Sequence, residues 1–438
     1  MSKIQERFPT TISPKTINLK IRSKQLEYQN YYKETLGKYP FVWYNSYQIE
    51  PKAIQFFELS FTDNIPSLKL HFYDKVNMIK DKTFPIEDTT ITVFISSRSK
   101  GVKPIFLEFK IVDFSTNREL NICFAVLNVK TLYLKQFKSY PNKTSYKLYE
   151  QLSKDLGLGF YSNLENTDDK MTWINTGQKV YEFMNKVLDH TYLSDQSFIT
   201  GYIDFYYNYV FVDLQKELSR DIMEDAGSSN TGVANSVNVA DKEIVSKLVL
   251  TNDLSAKQSN YFFDSYKVIN NSHRVSISKG YESVVKYYDH LSKSYLPFNL
   301  KSFKDNDDYK IALNESFGDK KFTKQNLDFV YEGKFDSDNV HKNFLYAKIQ
   351  NDRNLLDLEK IGLEISLPTP NFNYYKFQKV NVILSNQAAN IQQTHINKRL
   401  SGEWMVTDIK YRISDNRFKQ IINLVRRDLS KAEGEVRA

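Results

Sequence analysis

The stretch from Ser145 to Ile174, SYKLYEQLSKDLGLGFYSNLENTDDKMTWI, is where the hydrophobic period of the chain changes. Tyr146, Tyr149, Leu152 and Leu156 recur at helical spacing, and Gly157 stands where a left-handed C-terminal cap is wanted. Further on, Thr176 is the expected N-cap of a second helix with Val180, Phe183, Met184, Val187 and Leu188 on one face. Phe198 to Phe205 and Tyr209 to Leu214 flank Tyr207 and Asn208 and read as a hairpin. This block is α+β.

Working outward, both flanks read as β. On the N-terminal side the β-branched and aromatic runs are Ile17 to Ile21, Phe56 to Phe61, Leu68 to Phe72, Thr90 to Ser96, Ile105 to Phe114 and Ile122 to Val129. Alternation is clearest at Ile105, Leu107, Phe109 and Ile111. On the C-terminal side, residues 224–242 lose every aromatic and read as a mobile linker. Strands are expected at Ile244 to Leu250 and Tyr261 to Ile269, a helix around Tyr281 to Tyr295, and an irregular polar segment from Phe303 to Lys334. The strand pattern resumes at Leu345 to Ile349, Ile361 to Leu367, Lys379 to Leu384, Trp404 to Ile413 and Phe418 to Val425. In Trp404, Val406, Ile409, Tyr411 and Ile413 the alternation slips once, at Thr407 and Asp408, which predicts a bulge. The next strand is apolar on both sides, Ile421 and Val425 against Ile422 and Leu424, so it should face a barrel core and a neighbouring subunit or domain.

The chain is long enough for about two to four domains. Tyr and Phe, 30 of each, weight the reading toward strand-rich cores. One cysteine, Cys123, excludes an internal disulfide and a thiolate zinc site, and its apolar strand makes it an inert core residue. A net charge of +8 is a mild basic field, compatible with acidic partners but short of the dense stripe of a nucleic-acid binder. No leader-like apolar run or membrane-spanning stretch is evident, so a soluble protein made in the cytosol, without membrane insertion, is expected.

Phosphate-binding glycine loops, H-E-x-x-H and the nucleophile elbow do not occur. His71, His190, His273, His290, His341 and His395 have no ligand spacing and read as surface or helix-end residues, so no metal is expected. Asp168 with Asp169, and Asp305, Asp307 and Asp308, could serve acid/base hydrolysis, but polar turns collect Asp for their own reasons and explain both groups. The doublets Tyr31 and Tyr32, Tyr206 and Tyr207, Tyr287 and Tyr288, and Tyr374 and Tyr375 could stack bases or sugars; core packing is the preferred reading. Interleaved charges from Lys398 to Ala438, with Arg426 beside Arg427, favour a solvated or subunit-facing surface over a nucleic-acid groove.

The block from Lys130 to Leu218 resembles the central domain of the baseplate hub proteins of contractile-tailed phages of the T-even type. The resemblance is carried by a first helix, the polar stretch Asn166, Thr167, Asp168, Asp169, Met171 and Trp173, a second helix, and the hairpin opening at Phe198. Gly402, Glu403, Trp404, Met405, Val406, Thr407, Asp408 and Ile409, followed by Phe418 to Arg427, look like the closing strands of that family's second tube domain. Asp338 to Ala347, with Gln350 and Asn351, looks like its re-entry after an insertion. The resemblance implies a mainly β, α+β fold: two tube-like antiparallel β-barrel domains, an α+β domain between them, and a small insertion in the second barrel. The implied division is a first barrel at 1–135, the α+β domain at 136–222, a linker at 223–242, the second barrel at 243–278 and 342–431, its inserted domain at 279–341, and a tail at 432–438.

The function so implied is structural and non-enzymatic, with no cofactor. A homotrimeric ring would adapt a threefold central spike to the sixfold tail tube, in contact with other baseplate proteins, in a virion assembled in the host cytoplasm. Trp404, Val406, Ile409, Tyr411, Ile421 and Val425 are the expected assembly-interface residues. A hub of a phage-derived contractile injection system is the near alternative. A tail-associated hydrolase, or a glycan- or nucleic-acid-binding module, is the alternative from another class.

Overall fold

The computed structural model describes residues 10–12, 39–45, 47–74, 79, 84–96, 104–219, 249–254, 261–271, 284–289, 293–299, 340–386, 395–397, 399–414 and 416–426. The expected strand Ile17 to Ile21, the doublet Tyr31 and Tyr32, the loop 224–242, the segment 303–334 and the tail 432–438 lie outside these residues.

Strand β1 (Thr10–Ile12) is followed by β2 (Phe41–Tyr44), β3 (Tyr47–Ile49), β4 (Ile54–Thr62), β5 (Ile65–Tyr73), β6 (Thr90–Ile95), β7 (Ile105–Asn117) and β8 (Leu120–Leu127). The middle of the chain holds β9 (Lys135–Lys143), α1 (Ser145–Leu156), β10 (Gly159–Ser162), β11 (Met171–Lys179), α2 (Val180–Asp189), β12 (Ile199–Ile203), β13 (Asn208–Asp213) and α3 (Leu214–Ser219). Then come β14 (Val249–Thr251), β15 (Ser265–Asn270), β16 (Val284–Asp289), β17 (Ser294–Asn299), α4 (Phe344–Leu358), β18 (Ile361–Leu367), β19 (Lys379–Ile383), β20 (Ser385–Asn386), β21 (His395–Ile396), β22 (Gly402–Ser414) and β23 (Arg417–Arg426). The fold is α+β and mainly β.

Among the described residues the two β blocks belong to one sheet, in the order β15-β18-β23-β22-β4-β5-β8-β7-β6-β2-β3, with β19 and β14 continuing from β22 on a side branch. Alternation sorts the side chains: along β8, Cys123, Ala125 and Leu127 are buried while Ile122 is exposed. A separate sheet, β1-β10-β13-β12, carries the middle block, and β9 pairs with β11 as a two-stranded ribbon. Strand β1 comes from the N-terminal flank yet pairs with β10, so the two regions are hydrogen-bonded together from the start of the described chain.

Local sequence explains the middle block. Thr144 caps α1 by accepting from the Lys147 N–H, and Gly157 at φ 74° ends the helix as expected. Tyr146, Tyr149, Leu152 and Leu156 are buried, and the Tyr149 ring stacks on Tyr209 with centroids 4.8 Å apart. Asp204 closes the hairpin by accepting from the backbone N–H groups of Tyr206 and Asn208, both at 2.8 Å. This leaves Tyr207 with positive φ at the turn.

Three expected elements differ. Helix α2 starts at Val180, not after Thr176, because β11 stays paired with β9 through Lys179 and its end is tightened by the Asn175 side chain accepting from Gly177 and Gln178. Val180, Phe183, Met184 and Val187 still form its buried face. Among the described residues the region Tyr281 to Tyr295 holds β16 and the start of its antiparallel partner β17 in place of a helix; Val284, Val285, Tyr287 and Tyr288 are the residue types that favour a pleated surface. Leu345 to Ile349 is the first part of helix α4, because its short apolar alternation is embedded in good helix formers such as Leu, Ala, Lys, Gln and Arg.

The Asp168 and Asp169 turn divides in two. Asp168 is exposed, whereas Asp169 is fully buried and accepts from the Ser145 N–H at 2.9 Å, the Thr167 hydroxyl at 2.7 Å and the Tyr192 N–H at 3.1 Å. Burial pushes its pKa up, against the pull of those donors. It therefore ties the start of α1 to the segment after α2. Replacing it strands buried donors that cost about 1–3 kcal/mol each to leave unpaired. Asp169→Ala is expected to lower the denaturation midpoint of the chain by several degrees and Asp168→Ala to leave it unchanged, measured by circular dichroism; equal midpoints for the two variants would contradict the anchoring role.

Candidate assembly site

The residues expected at an interface lie on β22 and β23, and β22 changes partner along its length. Its first part, Gly402 to Met405, pairs with β19, while Tyr411 to Ile413 pair with Leu59, Glu58 and Phe57 of β4. The register with β23 shifts between Val406 and Asp408, where the sequence predicts a bulge. A bulge bends and twists its strand, which is what lets β22 leave one block and enter the other. Across the new pairing the Arg412 guanidinium donates through Nε to Glu58 Oε2 at 2.7 Å and closes a second contact through Nη2. The Glu58 side chain is nearly buried, so this is a geometrically constrained pair rather than a loose surface one.

All six expected interface side chains are buried within this chain: Trp404, Val406, Ile409 and Tyr411 at 0–2% exposure, Ile421 at 8% and Val425 at 7%. Their contacts are therefore internal in the isolated chain. Tyr411 lies among Phe205, Phe372 and Phe418, at centroid distances of 5.7, 5.6 and 6.3 Å. Ile422 and Leu424 join the main core, while Val425 and Met405 pack with Tyr161, Phe198, Tyr202, Val210 and Val212 of the middle block. On the second apolar face of β23, Val425 thus packs against the middle block of the same chain. Trp404 stacks beneath the Arg426 guanidinium at 4.4 Å.

Sequence reasoning missed the junction around Lys376. Its side chain keeps some exposure, but Nζ lies over the rings of Phe61, Phe377 and Tyr202 at 5.0, 5.2 and 5.6 Å and donates to Asn64 Oδ1 at 2.7 Å. The Tyr202 hydroxyl donates to the Lys376 carbonyl at 3.1 Å, and the Ile203 N–H to the Asn64 carbonyl at 2.9 Å. The β4–β5 turn, the middle sheet and the C-terminal block meet there. Desolvation lowers the Lys376 pKa to about 8, opposed by the Asp408 and Glu359 carboxylates.

Helix α4 is docked on the middle block by polar groups. Gln350 donates to the carbonyls of Ser197 at 3.2 Å and Asp195, and Asn351 to that of Thr191 at 3.1 Å. The His190 ring lies flat on Phe344, centroids 3.6 Å apart, and its Nδ1 meets the Phe344 carbonyl at 2.8 Å. His341 Nε2 meets the His190 carbonyl at 3.1 Å. Both rings are therefore donors toward carbonyls. His190 caps α2, as a helix-end residue should, but both histidines are buried, which the surface reading did not anticipate. His71 is half-buried, His395 lies on β21, and His273 and His290 lie outside the described residues.

Among the described residues no group of three or more His, Cys, Asp or Glu side chains is gathered in metal-binding range, and no helix is long and apolar enough to cross a membrane. Burial pushes the Cys123 thiol up to about 12, which suppresses the reactive thiolate. Asp305, Asp307 and Asp308 lie outside the described residues.

No protein-family model matches the chain, and no curated protein does. In overall fold it is similar to the 43 kDa tail protein of prophage MuSo2 from Shewanella oneidensis, at 12% identity and a TM-score of 0.48, over 90% of this chain and 99% of that one. A tail protein from Neisseria meningitidis MC58 is similar at 10% identity and a TM-score of 0.47, over 89% and 96%. A chain of the Francisella PdpA-VgrG complex is similar at 11% identity and a TM-score of 0.43, over 97% of this chain and 64% of that one.

The buried histidines give a pH dependence. Burial lowers both pKa values from 6.5 to about 4, so the folded state binds these protons less readily than the unfolded state. Their contribution to stability is complete above about pH 6.5 and is lost as pH falls toward 4. Asp213, raised by burial to about 6, acts in the opposite direction over its own range. Thermal midpoints should therefore fall less between pH 7 and pH 5 in a His190→Phe, His341→Phe double variant than in the unmodified chain. Identical pH profiles would show that these rings do not link α4 docking to protonation.

Proposed function

We propose that the chain is a structural baseplate hub of a contractile phage tail, forming a homotrimeric ring that adapts a threefold central spike to the sixfold tail tube. One observation carries the reading. Two β blocks are fused through β22 into a single sheet whose path ends at β15 and at β3 among the described residues. A sheet edge presents unpaired N–H and C=O groups that favour pairing with another chain. All six residues of β15 are exposed, Tyr266, Val268 and Ile269 among them. Three copies of a chain with two β blocks offer six blocks around a ring, the number a sixfold tube requires. The sequence resemblance in residues 130–218 and 402–427 supports the same reading.

In this proposal the divisions 1–135, 136–222, 223–242, 243–278 with 342–431, 279–341 and 432–438 are the working domain boundaries. Trp404, Val406, Ile409, Tyr411, Ile421 and Val425 serve assembly from within, by fixing the strand that holds the two blocks in one sheet. The partners are the central spike, the tail tube and other baseplate proteins, and the place of action is the tail baseplate of a virion assembled in the host cytoplasm. A hub of a phage-derived injection system would need the same geometry. The role is non-enzymatic: Asp169 is committed to backbone donors and Cys123 to the core.

Sedimentation at micromolar concentration is expected to give three times the 51.4 kDa chain mass. Tyr266→Lys with Val268→Lys, which charges the β15 edge, should shift the protein to monomer without changing its circular dichroism. A stable monomer before substitution, with and without spike protein, would overturn the trimer. Hydrolysis of peptidoglycan by the purified chain would overturn the non-enzymatic role.

A further inference from the structure

A cleft of about 770 Å³ opens where the end of β9, the start of α1 and the loop before β11 come together. Lys143, Lys147, Lys154 and Lys170 line it, with Glu150 as the one carboxylate and Asn166 among the neutral groups. Lys147 is neutralised by Glu150 at 2.9 Å. Lys143, Lys154 and Lys170 form no ion pair among the described residues, so three cations face one cleft uncompensated. Nearby Lys138, by contrast, is paired with Asp155 at 3.1 Å, so cations in this region are not uniformly left open.

Lys147 and Lys154 lie seven residues apart on one helix, about 10 Å along its axis at a rise of ~1.5 Å per residue. An extended polypeptide covers that distance in about three residues at ~3.3 Å each. The lining carries no aromatic side chain on which a base could stack, and its cations are all lysines, which act as point charges without the fork that grips phosphate in two places. Glu150 in the wall would repel a uniformly charged phosphate chain, whereas a peptide can set a neutral or basic residue against it.

We propose that this cleft is a docking site for a short, extended, acidic segment of a partner protein, held by Lys143, Lys154 and Lys170. The site does not involve the β15 or β3 edges, so it stands or falls separately from the trimeric ring. Its occupancy adds a contact on the middle block, and it is weakened by salt because Lys154 and Lys170 are exposed to solvent and Lys143 is only half-buried.

The test uses the full chain and three probes: a fluorescent hexaglutamate peptide, an oligothymidylate of matched charge, and inorganic phosphate. Hexaglutamate should bind saturably at low ionic strength and lose affinity as salt is raised. Lys154→Glu with Lys170→Glu should weaken it roughly tenfold, since each exposed pair is worth up to about fivefold and both are reversed. Lys110→Glu, on β7 and outside the cleft, should leave it unchanged, and circular dichroism should show all variants folded. Tighter binding of the oligothymidylate than of hexaglutamate would overturn the assignment in favour of nucleic acid. Equal effects of the cleft and Lys110 variants, displacement of hexaglutamate by equimolar phosphate, or no saturable binding would overturn it as well.

Discussion

The pairing of Tyr411 to Ile413 with Phe57 to Leu59 is the interaction on which the rest depends. Residues more than three hundred positions apart are held in register there, so the ordering entropy of the intervening chain must be offset by what surrounds the contact. It is surrounded well. Tyr411 and Ile413 are buried on one side, and the Arg412–Glu58 pair occupies the other. Burying side chains of this size contributes about 1.5–3 kcal/mol each, whereas an ion pair near the surface adds a fraction of that. Apolar burial holds the junction; the ion pair fixes its register, because a one-residue slip would set Arg412 against an apolar neighbour and turn Tyr411 outward.

The Lys376 cage and the apolar cluster beneath β23 extend the same constraint into the middle block. Phe61 lies against Tyr202 and Phe205, and Tyr202 in turn against Phe377. The rings of the middle block thus contact those of both β regions. A lysine whose ammonium lies against three rings loses part of its hydration, and its lowered pKa reflects that. The middle block is consequently a buttress of the fused sheet, and helix α4 fastens its far side through His190, Gln350 and Asn351.

Much of this was legible in the sequence, for physical reasons that differ by element. The alternation along β8 and part of β7 directly reports a half-buried pleat, whereas β4, β5 and β6 were readable as short β-branched and aromatic runs. The Gly157 cap and the Thr407–Asp408 bulge were readable because a left-handed residue and a phase slip leave local marks. The starts of α2 and α4 were not: pairing of β11 with β9 outweighed Thr176 as a cap, and a five-residue alternation in α4 imitates a strand. The six candidate interface residues were recognisable as important apolar positions, but a single sequence cannot distinguish a face buried by a second subunit from one buried by a second domain. Lys376 and Asp169 were illegible as tertiary anchors, since their partners come from segments distant in sequence.

Site-resolved native-state hydrogen exchange of the full chain tests the central claim most directly. If β22 makes the two β blocks one cooperative unit, the amides of Phe57–Leu59 and Tyr411–Ile413 will exchange with the same opening free energy and denaturant dependence as those of Gly402–Met405 and β23. Exchange of the β4–β22 junction by a separate low-energy opening, with both blocks remaining protected, would show that they are merely adjacent and would contradict the account.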